Sequence, residues 1–258
     1  MDISVTELLD RFYGLLWPML RISALLVAAP IFSLRAVNLR IRIVLAMAMA
    51  LTWLVYPLHD WPVIDPLSAS GLLEICNQLM IGLLMGLMLQ VVTAAIVVAG
   101  QSIANAVGLS MATMIDPNMG NVPVISQFLL VLATLNFVVL GGHALLLSLV
   151  VESFNSLPIG SNLMSTEAMK QVIAWSSMLF LGALLTALPV MVALLFINIG
   201  LGVATRAAPS LNIFSVGFPA MIFAGFGVLF LALPGIGARI QWLWMQGFFQ
   251  VRTLVGIT

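Results

Sequence analysis

Residues Gly100–Pro117 read GQSIANAVGLSMATMIDP and carry no charge until Asp116. The stretch is too polar and too rich in small residues for an ordinary lipid-facing span. Taken as a helix, it aligns Gly100, Ala104, Gly108 and Ala112 at i+4 steps, a stripe of minimal side chains that lets another backbone approach closely. Gln101 and Asn105, also four apart, run beside that stripe and need partners inside an apolar assembly. Met111 and Met114 follow, soft and deformable, and Asp116-Pro117 ends the helix because proline disfavours α geometry in the residue before it. The bland reading is a helix-packing face that runs into a loop. The sharper reading is a constriction in a membrane assembly.

Outward from this stretch the chain is overwhelmingly apolar. Of 258 residues 62% are hydrophobic and 7% charged, with a mean hydropathy of +1.19. A soluble domain is about a quarter charged, so the composition is that of an integral membrane protein. The apolar stretches are continuous rather than alternating, which argues for an all-α fold and against a β-barrel. Nine basic and nine acidic residues cancel, so nothing points to nucleic acid. The lone Cys76 allows neither an internal disulfide nor a multi-cysteine metal site. Asp2, Glu7 and Asp10 precede the first basic residue, Arg11, the reverse of a cleavable leader, so the first apolar segment is expected to be kept.

A bilayer-crossing helix needs roughly 20 apolar residues. Segments 12–34 (interrupted by Arg21 and Pro30) and 43–58 come first, separated by the basic Arg35, Arg40 and Arg42. The loop His59–Ser70, with Trp61, Asp60 and Asp65, reads as an interfacial turn. The uncharged run Ile75–Ile115 is too long for one span, so a helix is expected to about Gly100, followed by the special stretch. Segments 124–151, 172–205 and 213–238 complete the set, the last ending near Pro234 and Gly237. Residues 239–258, with Trp242, Trp244, Phe248 and Phe249, form an amphipathic tail suited to an interface. The whole, 1–258, is taken as one domain. With six spans, four basic residues fall on each side, and the positive-inside rule does not decide the orientation.

No catalytic constellation stands out, and no cofactor is implied. His143 and Ser148 are five apart, a poor helical pairing for a dyad, and no His-Glu-x-x-His occurs. His143, after Gly141-Gly142, is read as an internal hydrogen-bonding group at a helix bend. The chain is therefore read as non-enzymatic. A secondary transporter of a small solute is the alternative, with Pro189, Asn198 and Gln101 as its polar or helix-breaking groups. Arg21 and Glu74, within or at apolar segments, are functional candidates by default, although Arg21 equally suits snorkelling or a partner subunit. Gly82/Gly86, Ala95/Ala99 and Ala220/Ala224 repeat the small-residue spacing and favour extensive helix packing.

Four blocks taken together resemble one family. They are Arg21 with Pro30-Ile31-Phe32 and the basic Arg35–Arg42; Gly108 through Pro117; Gly142-His143 with Glu152-Ser153-Phe154 and Leu157-Pro158-Ile159-Gly160; and Ala187-Leu188-Pro189, Asn198, Gly200-Leu201-Gly202 and Arg206 through Phe214 with Gly217-Phe218-Pro219. In that order, over nearly the whole length, they resemble the FliR family of flagellar export-gate proteins, whose injectisome relatives are the SctT proteins.

The resemblance implies a subunit that assembles with FliP-like and FliQ-like proteins into the core export gate of the flagellar basal body, in the bacterial inner membrane. FlhB-like and FlhA-like proteins cooperate, and unfolded flagellar substrates pass through. It implies kinked hydrophobic helical hairpins built into a hetero-oligomeric assembly raised from the membrane plane. It also carries over a channel plug onto Gly108, Met111, Met114, Asp116 and Pro117. Relatives often have aromatic residues there; Met111 and Met114 depart from that, weakening closure by stacking and suiting a deformable gasket. Gly100, Ala104, Ala112, Arg206 and Asn212 are assigned to helix packing and assembly.

Overall fold

The computed structural model describes residues 5–30, 38–55, 64–109, 123–160, 166–207 and 217–256. Among them every regular element is an α-helix: α1 (Val5–Ala28), α2 (Leu39–Val55), α3 (Ala69–Val107), α4 (Val124–Val139), α5 (Gly142–Ser156), α6 (Thr166–Ser176), α7 (Met178–Ala207) and α8 (Phe218–Val255). In an apolar medium each backbone N–H and C=O must be satisfied within the segment, and the helix does this locally. Three stretches are long and apolar enough to cross a membrane, Ala69–Val107, Thr166–Ala207 and Pro219–Val255, or four if the broken pair α4–α5 is one span. The chain is an all-α membrane protein.

Helix ends fall elsewhere than the hydropathy suggests. α3 does not stop near Gly100 but runs 39 residues to Val107. At 1.5 Å per residue that is about 58 Å, nearly twice the hydrocarbon thickness of a bilayer. α8 likewise continues through Pro234 for 38 residues, so the expected end there does not occur. Pro18 and Pro189 also stay inside helices. The reverse happens at 124–151 and 172–205, each of which divides. Gly141 takes a φ of +67° between α4 and α5, and Ser177 separates α6 from α7.

The helices form two compact units. One comprises residues 1–91, 142–176 and 246–258, the other 92–141 and 177–245. In the first, α1 packs on α2. Ala46 and Ala50 are buried on α2 while Ile41, Val44 and Met47 are exposed. α3 meets α1 at glycines: a Cβ on Gly82 would lie 2.3 Å from the Arg21 carbonyl oxygen, and one on Gly86 2.5 Å from the Ala28 Cβ. Trp175 on α6 donates its indole N–H to the Met88 carbonyl at 2.9 Å.

In the second unit the C-terminal half of α3 is the central element. Gly100 abuts Ser126 of α4, Ala95 lies beside Gly182 of α7, and Val107 fills the space over Gly225 of α8. Trp244 is fully buried, donates to the Ala133 carbonyl at 3.0 Å, and packs edge-on against Phe137 with centroids 4.8 Å apart. Ile240 and Leu243 are buried beside it in sequence, while in the first unit Phe248 and Val251 are buried and Phe249 is exposed.

Candidate functional site

The C-terminal end of α3 is the best-defined part of the Gly100–Pro117 stretch. Gly100 admits the α4 backbone so closely that a Cβ would fall 2.5 Å from the Ser126 Cα. Ser126 returns a hydrogen bond from its Oγ to the Val97 carbonyl at 3.1 Å, and Ala104 is fully buried. This is the close backbone approach that the small-residue stripe implied.

The stripe then ends. Gly108 has a φ of +89°, and its N–H donates to the Asn105 carbonyl at 3.1 Å while the Leu109 N–H reaches back to the Ala104 carbonyl at 3.0 Å. This 5→2 and 6→1 pair is a Schellman cap, a stop that a residue in the left-handed region, usually glycine, provides at lowest cost. The helical stripe is therefore corrected at Gly108, which turns the chain out of the helix after Val107 instead of extending the face of Gly100 and Ala104. Ala112, Met111, Met114, Asp116 and Pro117 lie outside the described residues, as does Asn212.

Other polar groups divide into those that find partners and those that do not. Among the described residues neither Gln101 nor Asn105 has a side-chain hydrogen bond, and Asn105 is exposed. Asn198 is exposed on α7, with no bond to Gln101, so the transporter's polar groups are not brought together. His143 is also exposed and has no hydrogen bond among the described residues; the bend is present at Gly141, the expected bond is not among them. Arg206 is exposed in the last turn of α7, where a cation complements the helix dipole.

Arg21 behaves differently. It neither snorkels nor waits for another subunit: it is fully buried and spends its guanidinium inside the chain. Nε donates to Gln78 Oε1 at 2.7 Å, Nη1 to the Ser153 carbonyl and Oγ at 2.9 Å each, and Nη2 to the Leu157 carbonyl at 2.8 Å. The Phe154 ring lies 4.0 Å below the guanidinium carbon. Glu74, 6% exposed, accepts from Gln78 Nε2 and from the Gly160 N–H at 3.1 Å. Ser153, from the Glu152-Ser153-Phe154 block, is thus bonded to Arg21. Gln78 was not singled out from the sequence, though its i+4 spacing from Glu74 inside an apolar helix was the available signal.

No group of three or more potential metal ligands occurs among the described residues. Long apolar helices, small-residue contacts and polar groups spent on structure define a helical membrane protein built for packing. Residues 12–247 match the family model of bacterial export proteins, family 1, and the chain belongs to that family. It is 38% identical over 234 residues to the flagellar biosynthetic protein FliR of Pectobacterium carotovorum subsp. carotovorum, covering 90% of this chain and 88% of the relative. The FliR of Escherichia coli (strain K12) is 36% identical over 236 residues, again 90% and 88%. That of Bacillus subtilis (strain 168) is 30% identical over 257 residues, 98% of both.

Proposed function

We propose that this chain is the plug-bearing subunit of a flagellar protein-export gate in the bacterial inner membrane. It assembles with FliP-like and FliQ-like subunits at the basal body, works with FlhB-like and FlhA-like proteins, and conducts unfolded flagellar substrates rather than catalysing a reaction. The observation that carries this reading is the glycine cap on α3. A rigid 39-residue helix, held by close contacts at Gly100 and Val107, stops at Gly108 and hands the chain to the segment bearing Met111 and Met114.

Three further features support it. α3 and α8 exceed the roughly 30 Å hydrocarbon core, so their excess length must tilt or leave the lipid. Gln101 and Asn105 flank the packing stripe with no side-chain hydrogen bond among the described residues, polar groups that a neighbouring subunit could engage. α7 and α8 expose Phe180, Phe196, Phe223 and Phe230, apolar area available to other subunits. Apolar side chains in a narrow conduit resist wetting and ion leak, and thioether chains deform around a passing polypeptide.

The test is ion leak in vesicles holding the assembled complex. Replacing Met111 and Met114 together by Gly should raise the leak while leaving assembly intact. Unchanged leak in a correctly assembled complex would refute the plug.

A further inference from the structure

The Arg21 cluster has a geometry that an ordinary buried ion pair lacks. Arg21 and Glu74 do not touch; they are joined through Gln78, whose carbonyl oxygen accepts from the cation and whose amide nitrogen donates to the anion. Each charge also grips one end of the same turn. Arg21 holds the Leu157 carbonyl and Glu74 holds the Gly160 N–H, with Ile159 buried between them.

We infer that Arg21, Gln78 and Glu74 form a split ion-pair clamp that ends α5 and sets the Leu157–Gly160 turn, with Arg21 as its positioning residue. A helix C-terminus leaves its last carbonyls unpaired. Here the Ser153 and Leu157 carbonyls meet one guanidinium, whose positive charge also suits the negative end of the helix dipole. Gly160, at φ +83°, turns its N–H toward the carboxylate that balances that charge.

The planar fork matters more than the charge. Arg21 meets acceptors in three directions from α3, the α5 backbone and the Ser153 hydroxyl, which a lysine ammonium at that place cannot reach together. Removing Gln78 takes away the side chain that bonds to both buried charges. The clamp is internal to this chain and is independent of how the gate closes.

Hydrogen exchange followed by mass spectrometry on the purified assembled complex tests it, read on the peptide containing residues 149–160. Arg21→Lys and Arg21→Gln should both speed exchange there at least tenfold, and Glu74→Gln, which keeps the acceptor, less than threefold. Ser153→Ala, which removes one acceptor and leaves the backbone intact, should speed it about three- to tenfold. It keeps the question answerable if the Arg21 variants do not accumulate. Wild-type protection in Arg21→Lys would show that charge alone suffices, and wild-type protection in Ser153→Ala would remove the hydroxyl from the clamp; either overturns the inference. Swimming motility lost in Arg21→Lys without a change in ion leak separates this clamp from the Met111/Met114 plug.

Discussion

The two ends of α3 solve the problem of packing an apolar helix in opposite ways. Toward its start, Glu74 and Gln78 place buried polar groups that demand particular partners; Arg21 and Gly160 supply them, and Ser153 and Leu157 complete Arg21. Toward its finish, Gly100 and Val107 place shape alone, against Ser126 and Gly225. Polar networks fail abruptly, because each lost partner leaves another group unsatisfied in a poorly solvating interior. Steric contacts depend on what can give: the Val107 methyls over Gly225 can shift, the Ser126 backbone against Gly100 cannot do so cheaply. One helix thus carries a polar end and a steric end, and the steric end leads into the segment proposed for gating.

The largest effect should come from emptying the polar end. Arg21→Met keeps the side-chain bulk but strands the Gln78 and Leu157 oxygens and leaves Glu74 without its counter-charge; by analogy with broken buried pairs it should cost about 3–5 kcal/mol, measurable as denaturant stability of the detergent-solubilised protein. A cost below that of the steric variants would reverse the contrast. Gly100→Leu probes the steric end: overpacking against the Ser126 backbone should cost about 1–3 kcal/mol, read in the same assay, and Gly100→Ala should cost less than Gly100→Leu.

A smaller effect belongs to the stop itself. Gly108→Ala forces a Cβ into the left-handed region at about 1–2 kcal/mol, and should loosen amide protection at Leu109 more than at Gly100. Equal loss at both would mean that the cap and the packing contact are one unit. His143→Ala should be the quietest, within about 0.5 kcal/mol, since the imidazole is exposed and has no hydrogen bond among the described residues. A clear destabilisation would show that the bend at Gly141 depends on it.

The packing face at the start of the Gly100–Pro117 stretch was legible in advance. Small residues four apart announce a close approach; Gly100 makes it and Ala104 is buried on the same helix. Gly108 was misread because glycine serves both a packing stripe and a left-handed cap, and only the path of the chain after it distinguishes the two. Likewise Arg21 in an apolar segment signals a constraint without naming its partners, which lie 57 to 136 residues away.

Composition and continuous apolar runs determined by themselves that this is an all-helical membrane protein, because hydropathy is a sum over residues and a helix satisfies its backbone locally. Tertiary structure alone decided where the helices end and which polar groups are spent. Pro234 stays within α8 and Gly141 breaks α4 from α5, and Arg21 closes on the end of α5 rather than on lipid or another subunit. Such outcomes depend on which distant side chains reach the same few ångströms, and periodicity along one strand of sequence carries no record of that.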